Sequence, residues 1–136
     1  MAEGQTEFEL VSPEKLLLSR AVDMIVVPGS EGDFGVLARH APLISTLRPG
    51  VIQVYENNQV KEQIFVAGGF AEVTPERCTV LADEALPVAE LDRAGIEQSL
   101  KDAREDLEDA GDDEQARSAA ERRIAIEEAK LRAAGS

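Results

Sequence analysis

Few residues in this chain have the types that carry chemistry. There is one histidine, His40, and one cysteine, Cys78. A base and a thiol of this kind make an acyl-transfer pair only if the fold brings them within hydrogen-bond reach. Cys78 is followed at spacing two by Val80 and Ala82, so the three share one face of a strand. That pattern reads as a small core residue, not a nucleophile. A metal centre needs convergent ligands, and His40 has no second histidine and no cysteine pair to join it. His40 reads instead as a loop histidine at a surface or interface. Gly29, Gly32 and Gly35 do not make a phosphate loop. Their spacing is wrong, no Lys-Ser/Thr follows, and Glu31 and Asp33 lie between them. Gly68-Gly69 lacks a third glycine and a following helix. Glu31-Gly32-Asp33 lacks the EF-hand pattern of a calcium loop, which leaves a solvated turn or an acidic contact point for a partner. The acidic run Glu105 to Asp109 reads as a solvated helix face. No residue set forms a catalytic constellation, and neither a metal nor a cofactor is expected.

Two kinds of element must position these residues. Residues 6–11 alternate Phe8 and Leu10 against Glu7 and Glu9, the pattern of a half-buried strand. Residues 15–27 are apolar and β-branched and read as one or two strands. Residues 28–50, PGSEGDFGVLARHAPLISTLRPG, are dense in glycine and proline, so they turn repeatedly around short apolar runs. Val51 to Glu56 and Gln59 to Ala67 flank Asn57-Asn58, which tolerates the positive φ of a type I′ hairpin turn. Gly68-Gly69 is expected to break the return strand, Phe70 to Thr74 to resume it, and Arg77 to Asp83 to add another. Short strands at this turn spacing predict a sandwich or barrel. Beyond Pro87 the period changes. Ile96, Leu100, Ala103, Leu107 and Ala110 make one helix face. Gly111 is placed to end that helix, and Asp112 or Asp113 to cap a second, about Glu114 to Ala133. The fold class is therefore an all-β sandwich over residues 1–88 followed by an antiparallel helical hairpin over 89–136, α+β overall.

The chain has 136 residues and a formal net charge of −13. That charge argues against nucleic acid or an anionic membrane surface as a direct partner and permits a basic protein. No apolar run reaches the length of a membrane helix. The opening MAEGQTEFEL lacks the basic and apolar regions of a secretory leader, and a lone cysteine fits a reducing compartment. All five aromatics lie in the first 70 residues, whereas eleven alanines fall in the last 48. Alanine faces bury little area, so the hairpin should be stable only when packed on something.

The ordered set GSEGDFGVLARHAPLISTLRPG at 29–50, VAGGFAEV at 66–73 and VTPERCTVLADEA at 73–85, followed by a helical hairpin, resembles the ε subunit family of bacterial F-type ATP synthases. The resemblance covers nearly the whole sequence. It implies a non-catalytic central-stalk subunit, peripheral at the cytoplasmic face of the bacterial inner membrane, that links the γ subunit to the c-ring and couples proton flow to ATP synthesis. It assigns Ser30, Glu31, Gly32, Asp33 and Phe34 to the c-ring contact, and His40, Ala41, Pro42 and Leu43 to the γ contact. Glu31 and Asp33 would then stand on a projecting turn facing basic residues of the ring. In some members the hairpin extends and inhibits ATP hydrolysis. Arg122, Arg123, Lys130 and Arg132 are the basic positions that would meet the catalytic α/β hexamer. Members that bind ATP resemble Ile/Leu-Asp-x-x-Arg-Ala at the hairpin's start. Here Arg93 directly follows Asp92 and Gly95 holds the arginine's place, a displacement of about 200° around a helix. Weak or absent ATP binding is expected. Two rival readings stay open: a free-standing interaction module that dimerises through its hairpin, and a small ligand-binding sandwich or hydrolase dependent on His40.

Overall fold

The computed structural model describes residues 4–135. The chain divides into two compact units, Met1–Val88 and Ala89–Ser136. Residues 1–3 and 136, at the ends of these ranges, lie outside the described residues.

Among its described residues the first unit has eight strands: β1 (Thr6–Val11), β2 (Leu16–Val22), β3 (Met24–Gly29), β4 (Gly32–Val36), β5 (Leu43–Thr46), β6 (Gly50–Glu56), β7 (Gln59–Val73) and β8 (Arg77–Pro87). The hydrogen-bonded order is β2-β1-β8-β7-β6-β3-β4, with β5 on β7. This continuous sheet folds over into a sandwich. β7 takes part in both layers, since its first half pairs with β6 and its end pairs with β5. The change of layer falls at Gly68 and Gly69, with φ of 73° and 93°. A Cβ on Gly69 would stand 1.8 Å from the Leu81 carbonyl oxygen, so only glycine fits. The pair therefore bends β7 instead of ending it, and β7 stays paired with β8 on both sides of the bend. The broken strand expected at this point is one strand of 15 residues.

The apolar run at 15–27 is two strands parted at Asp23. There the backbone leaves β1, and the Asp23 carboxylate accepts from Asn57 N at 2.7 Å. Asn57 and Asn58 adopt φ of 54° and 62°, the left-handed pair a type I′ turn demands. Phe8, Val22, Ile25, Val27, Val36, Ile52, Val54, Val66, Cys78 and Val80 are fully enclosed in a single core.

The second unit is α1 (Arg93–Asp109) and α2 (Glu114–Ala134), after a short 3₁₀ turn at Val88–Glu90. α1 buries Ile96, Leu100 and Ala103, the face its periodicity predicts. Gly111 sits past its end with φ of 55°. Asp113 caps α2, its carboxylate accepting from Gln115 N at 3.1 Å and Ala116 N at 3.2 Å. α2 buries Ala120, Ala129, Ala133 and Glu127.

Candidate interaction site

The turn-rich stretch resolves into a hairpin and a separate edge strand. β3 and β4 pair up to Gly29↔Gly32, so Ser30 and Glu31 form a two-residue turn. Gly32 supplies the positive φ, 133°, that closes it. Each side chain of this tip has a different task. Phe34 packs on the sandwich core. The Ser30 amide donates to the Thr46 carbonyl at 2.9 Å, and the Thr46 hydroxyl donates to Ser30 Oγ at 2.8 Å. Asp33 is paired with Arg48, whose Nη2 donates to its carboxylate. Arg48 also donates through Nη1 to the Gly29 carbonyl at 2.7 Å. Glu31 is exposed and has no hydrogen bond or ion pair among the described residues.

Asp33 is exposed like Glu31, but unlike Glu31 it is paired within the protein. Its charge is answered within the chain because the β5–β6 connection carries Arg48 beside the tip. The arginine stands 15 residues away in sequence, so local spacing carried no sign of the pair.

The tip and β5 together line a shallow groove of about 560 Å³, bounded by Ser30 to Phe34 on one side and Leu43 to Thr46 on the other. Ile44 is 68% exposed here. Leu43 from the second expected segment therefore borders the same groove as the first.

His40, Ala41 and Pro42 lie in the loop between β4 and β5. Arg39, at a φ of 64°, anchors that loop by donating its amide to the Pro75 carbonyl at 2.9 Å. His40 Nδ1 lies 2.6 Å from the Ala41 carbonyl oxygen; since a carbonyl only accepts, that nitrogen carries the proton. Cys78 is fully buried in the core, and desolvation there pushes its thiol up to about 12. A protonated, enclosed thiol and a half-exposed loop histidine make no nucleophile–base pair. Among the described residues no group of acids, histidines and cysteine is arranged to hold a metal ion. No described helix is long and apolar enough to cross a membrane.

The basic positions of α2 are not equivalent. Arg122 is exposed. Arg123 Nη1 donates to Glu127 Oε2 at 2.7 Å, and Lys130 Nζ meets the same oxygen at 3.3 Å. Arg132 is exposed and engaged in a further interaction. Glu127, only 2% exposed, is the residue that sequence reasoning missed. Its signal was an acid flanked by cations four residues before and three after it, two helical turns beyond Ala120 on the same face. At the hairpin's start Arg93 pairs with Glu97 at 3.3 Å. The Asp92 carboxylate lies over Gly95, 2.8 Å from where a Cβ would stand.

Residues 5–88 match the family model of the β-sandwich domain of the ATP synthase delta/epsilon subunit, and residues 92–136 match that of the C-terminal domain of the ATP synthase epsilon subunit. The sequence is 55% identical over 128 residues to the ATP synthase epsilon chain of Rhodospirillum rubrum, covering 94% of this protein and 95% of the relative. It is 58% identical over 130 residues to that of Rhodospirillum centenum, covering 92% and 88%. Among solved structures, a subunit in the cryo-EM structure of the Euglena gracilis mitochondrial ATP synthase OSCP/F1/c-ring superposes with a TM-score of 0.82 at 30% identity, covering 97% of this protein and 82% of that one. A subunit of the Tetrahymena thermophila mitochondrial ATP synthase central stalk and c-ring shares the fold, with a TM-score of 0.61 at 18% identity and coverage of 95% and 96%. Two matched domains, in this order and spanning nearly the whole sequence, make the protein a member of the bacterial ATP synthase epsilon subunit family.

Proposed function

We propose that this epsilon subunit is a non-catalytic rotor component of a proton-translocating F-type ATP synthase. It joins the γ subunit to the c-ring at the cytoplasmic face of the bacterial inner membrane. It touches the membrane only through the complex. The observation that carries the reading is the groove shared by the Ser30–Phe34 tip and Leu43 of β5. One end of the sandwich then meets two partners at once. Contact with γ holds the sandwich in place, so the weaker contact with the ring need not supply the ordering cost itself. His40, Ala41, Pro42 and Leu43 serve as the γ contact, and Glu31 is the acidic group of the tip that remains free for the ring.

The hairpin is the regulatory element. In the folded hairpin Arg123 and Lys130 are engaged by Glu127, so contact with the hexamer would require an extended state in which those pairs are exchanged. Nucleotide is not its signal: Gly95 stands where the binding pattern has arginine, and Arg93 is turned to Glu97.

The test is reconstitution. Membrane vesicles stripped of their own epsilon subunit should regain ATP-driven proton pumping when this protein is added, and the tagged protein should recover γ and c-ring proteins together. Self-association in sedimentation experiments, without recovery of γ, would favour the free-standing dimer. His40→Ala should weaken γ binding with the fold intact, and an unchanged affinity in titration calorimetry takes His40 out of the interface.

A further inference from the structure

We propose that Arg48 is the positioning residue of the β3–β4 tip, a clasp that pairs the exposed Asp33 carboxylate within the protein and leaves Glu31 as the unpaired carboxylate of the tip. Four bonds converge on this corner. Arg48 Nη2 holds the Asp33 carboxylate, and Nη1 donates to the Gly29 carbonyl at 2.7 Å. The Arg48 amide donates to the Pro28 carbonyl at 3.0 Å, and the Ser30 amide to the Thr46 carbonyl at 2.9 Å. One guanidinium therefore ties both strands of the hairpin to the backbone leaving β5. Its planar fork suits this task because two donors meet two acceptors in fixed directions. The backbones beneath it are in close contact. A Cβ on Gly29 would meet Gly32 O at 2.9 Å and Ser45 Oγ at 3.0 Å, and one on Gly50 would meet Pro28 Cβ at 2.9 Å. The tip accordingly has one direction relative to β5, and Glu31 is carried at its end.

This inference rests on the rotor reading, and two readouts keep the two apart. The first uses the isolated protein and amide hydrogen exchange. Arg48→Gln and Asp33→Asn should each raise exchange at Ser30 and Arg48 by roughly twofold to fivefold, the scale of an exposed ion pair, with exchange at Ile52 and Val80 unmoved. Unchanged exchange at the tip overturns the clasp. The second uses the reconstituted vesicles and the ratio of proton pumping to ATP hydrolysis. Both single variants should lower the ratio, and Arg48→Asp combined with Asp33→Arg should restore part of it. Glu31→Gln should lower the ratio without changing exchange at the tip, and no change at Arg48 should rescue it. A tip that loosens with no loss of the ratio, or a reversed pair that restores nothing, overturns the positioning role. If the unaltered protein fails to restore pumping, the rotor reading falls, and the exchange measurement still decides the clasp.

Discussion

The two units are held together by different amounts of apolar surface. The sandwich encloses Phe8, Phe65, Leu10, Ile25, Ile52 and seven valines at under 2% exposure. The hairpin encloses nothing so large that completely. Its most buried side chains are Ile96, Leu100, four alanines and the acid Glu127. A fully buried large aliphatic or aromatic group contributes about 1.5–3 kcal/mol, and an alanine methyl well under half of that. The sandwich can therefore meet its ordering entropy from its own core, whereas the hairpin is close to balance. This division suits the proposed function, in which the sandwich would keep its shape as the rotor contact and the hairpin would let go to regulate.

The largest effect that tests the comparison is separation. Residues 1–88 expressed alone should show strand-type circular dichroism and one cooperative thermal transition. Residues 89–136 alone should melt gradually, without a defined midpoint. A sharp transition in the isolated hairpin would break the comparison outright, as would a disordered 1–88.

Core truncations come next. Phe8→Ala should destabilise the sandwich by about 3–5 kcal/mol, a loss visible as a large fall in its thermal midpoint. Leu100→Ala, at a position 6% exposed on α1, should cost about 2 kcal/mol and leave the sandwich transition where it is. If both variants lower the same single transition equally, the two units do not melt independently.

Cys78 gives a smaller effect with a definite sign. Burial raises its thiol from 9.0 to about 12, so the core favours the neutral form. The folded state holds the proton where the unfolded state has lost it. This contribution is complete below about pH 9 and declines as the pH rises from there towards 12. Native protein at pH 8 should resist alkylation by iodoacetamide, and unfolding in denaturant should expose one reactive thiol. Fast labelling of the native protein would show that the core opens locally around β8.

Local chemistry made much of this architecture readable in advance. Strand alternation at Phe8 and Leu10, the Asn57-Asn58 turn and the Ile96–Leu100–Ala103 face are short-range patterns, and each is present in the structure. Non-local arrangements left no such trace. β1 pairs in parallel with β8, Glu9 reaching Thr79 at a separation of 70 residues, and no periodicity announces a partner at that distance. The Gly68-Gly69 pair looked like a strand end because the same positive φ serves a break and a bend; only Leu81 across the sheet decides which. The tip residues were legible as a turn, but Asp33 and Glu31 looked alike until Arg48 was brought beside one of them. Glu127 was hidden by its own charge, since an acid in a helix is read as solvated unless its cations are weighed with it.

The smallest effect compares the two helix starts. Both α1 and α2 begin after an aspartate in extended conformation, Asp92 and Asp113. The four leading amides of any helix lack intrahelical acceptors, and a capping carboxylate can answer two of them. Asp113 does this for Gln115 and Ala116. Asp92 makes no side-chain cap bond. Asp113→Ala should therefore cost the hairpin about 1 kcal/mol. Asp92→Ala should cost distinctly less, because only its charge near the positive helix end is lost. In a unit this close to balance, about 1 kcal/mol changes the helical population severalfold. Far-ultraviolet circular dichroism of the full-length protein should then show helix loss in the first variant and little in the second. Equal losses would mean that Asp92 acquires a capping role in solution. Equal indifference would mean that the hairpin is held by contacts stronger than its alanine-rich faces imply, and the contrast between the two units would have to be narrowed accordingly.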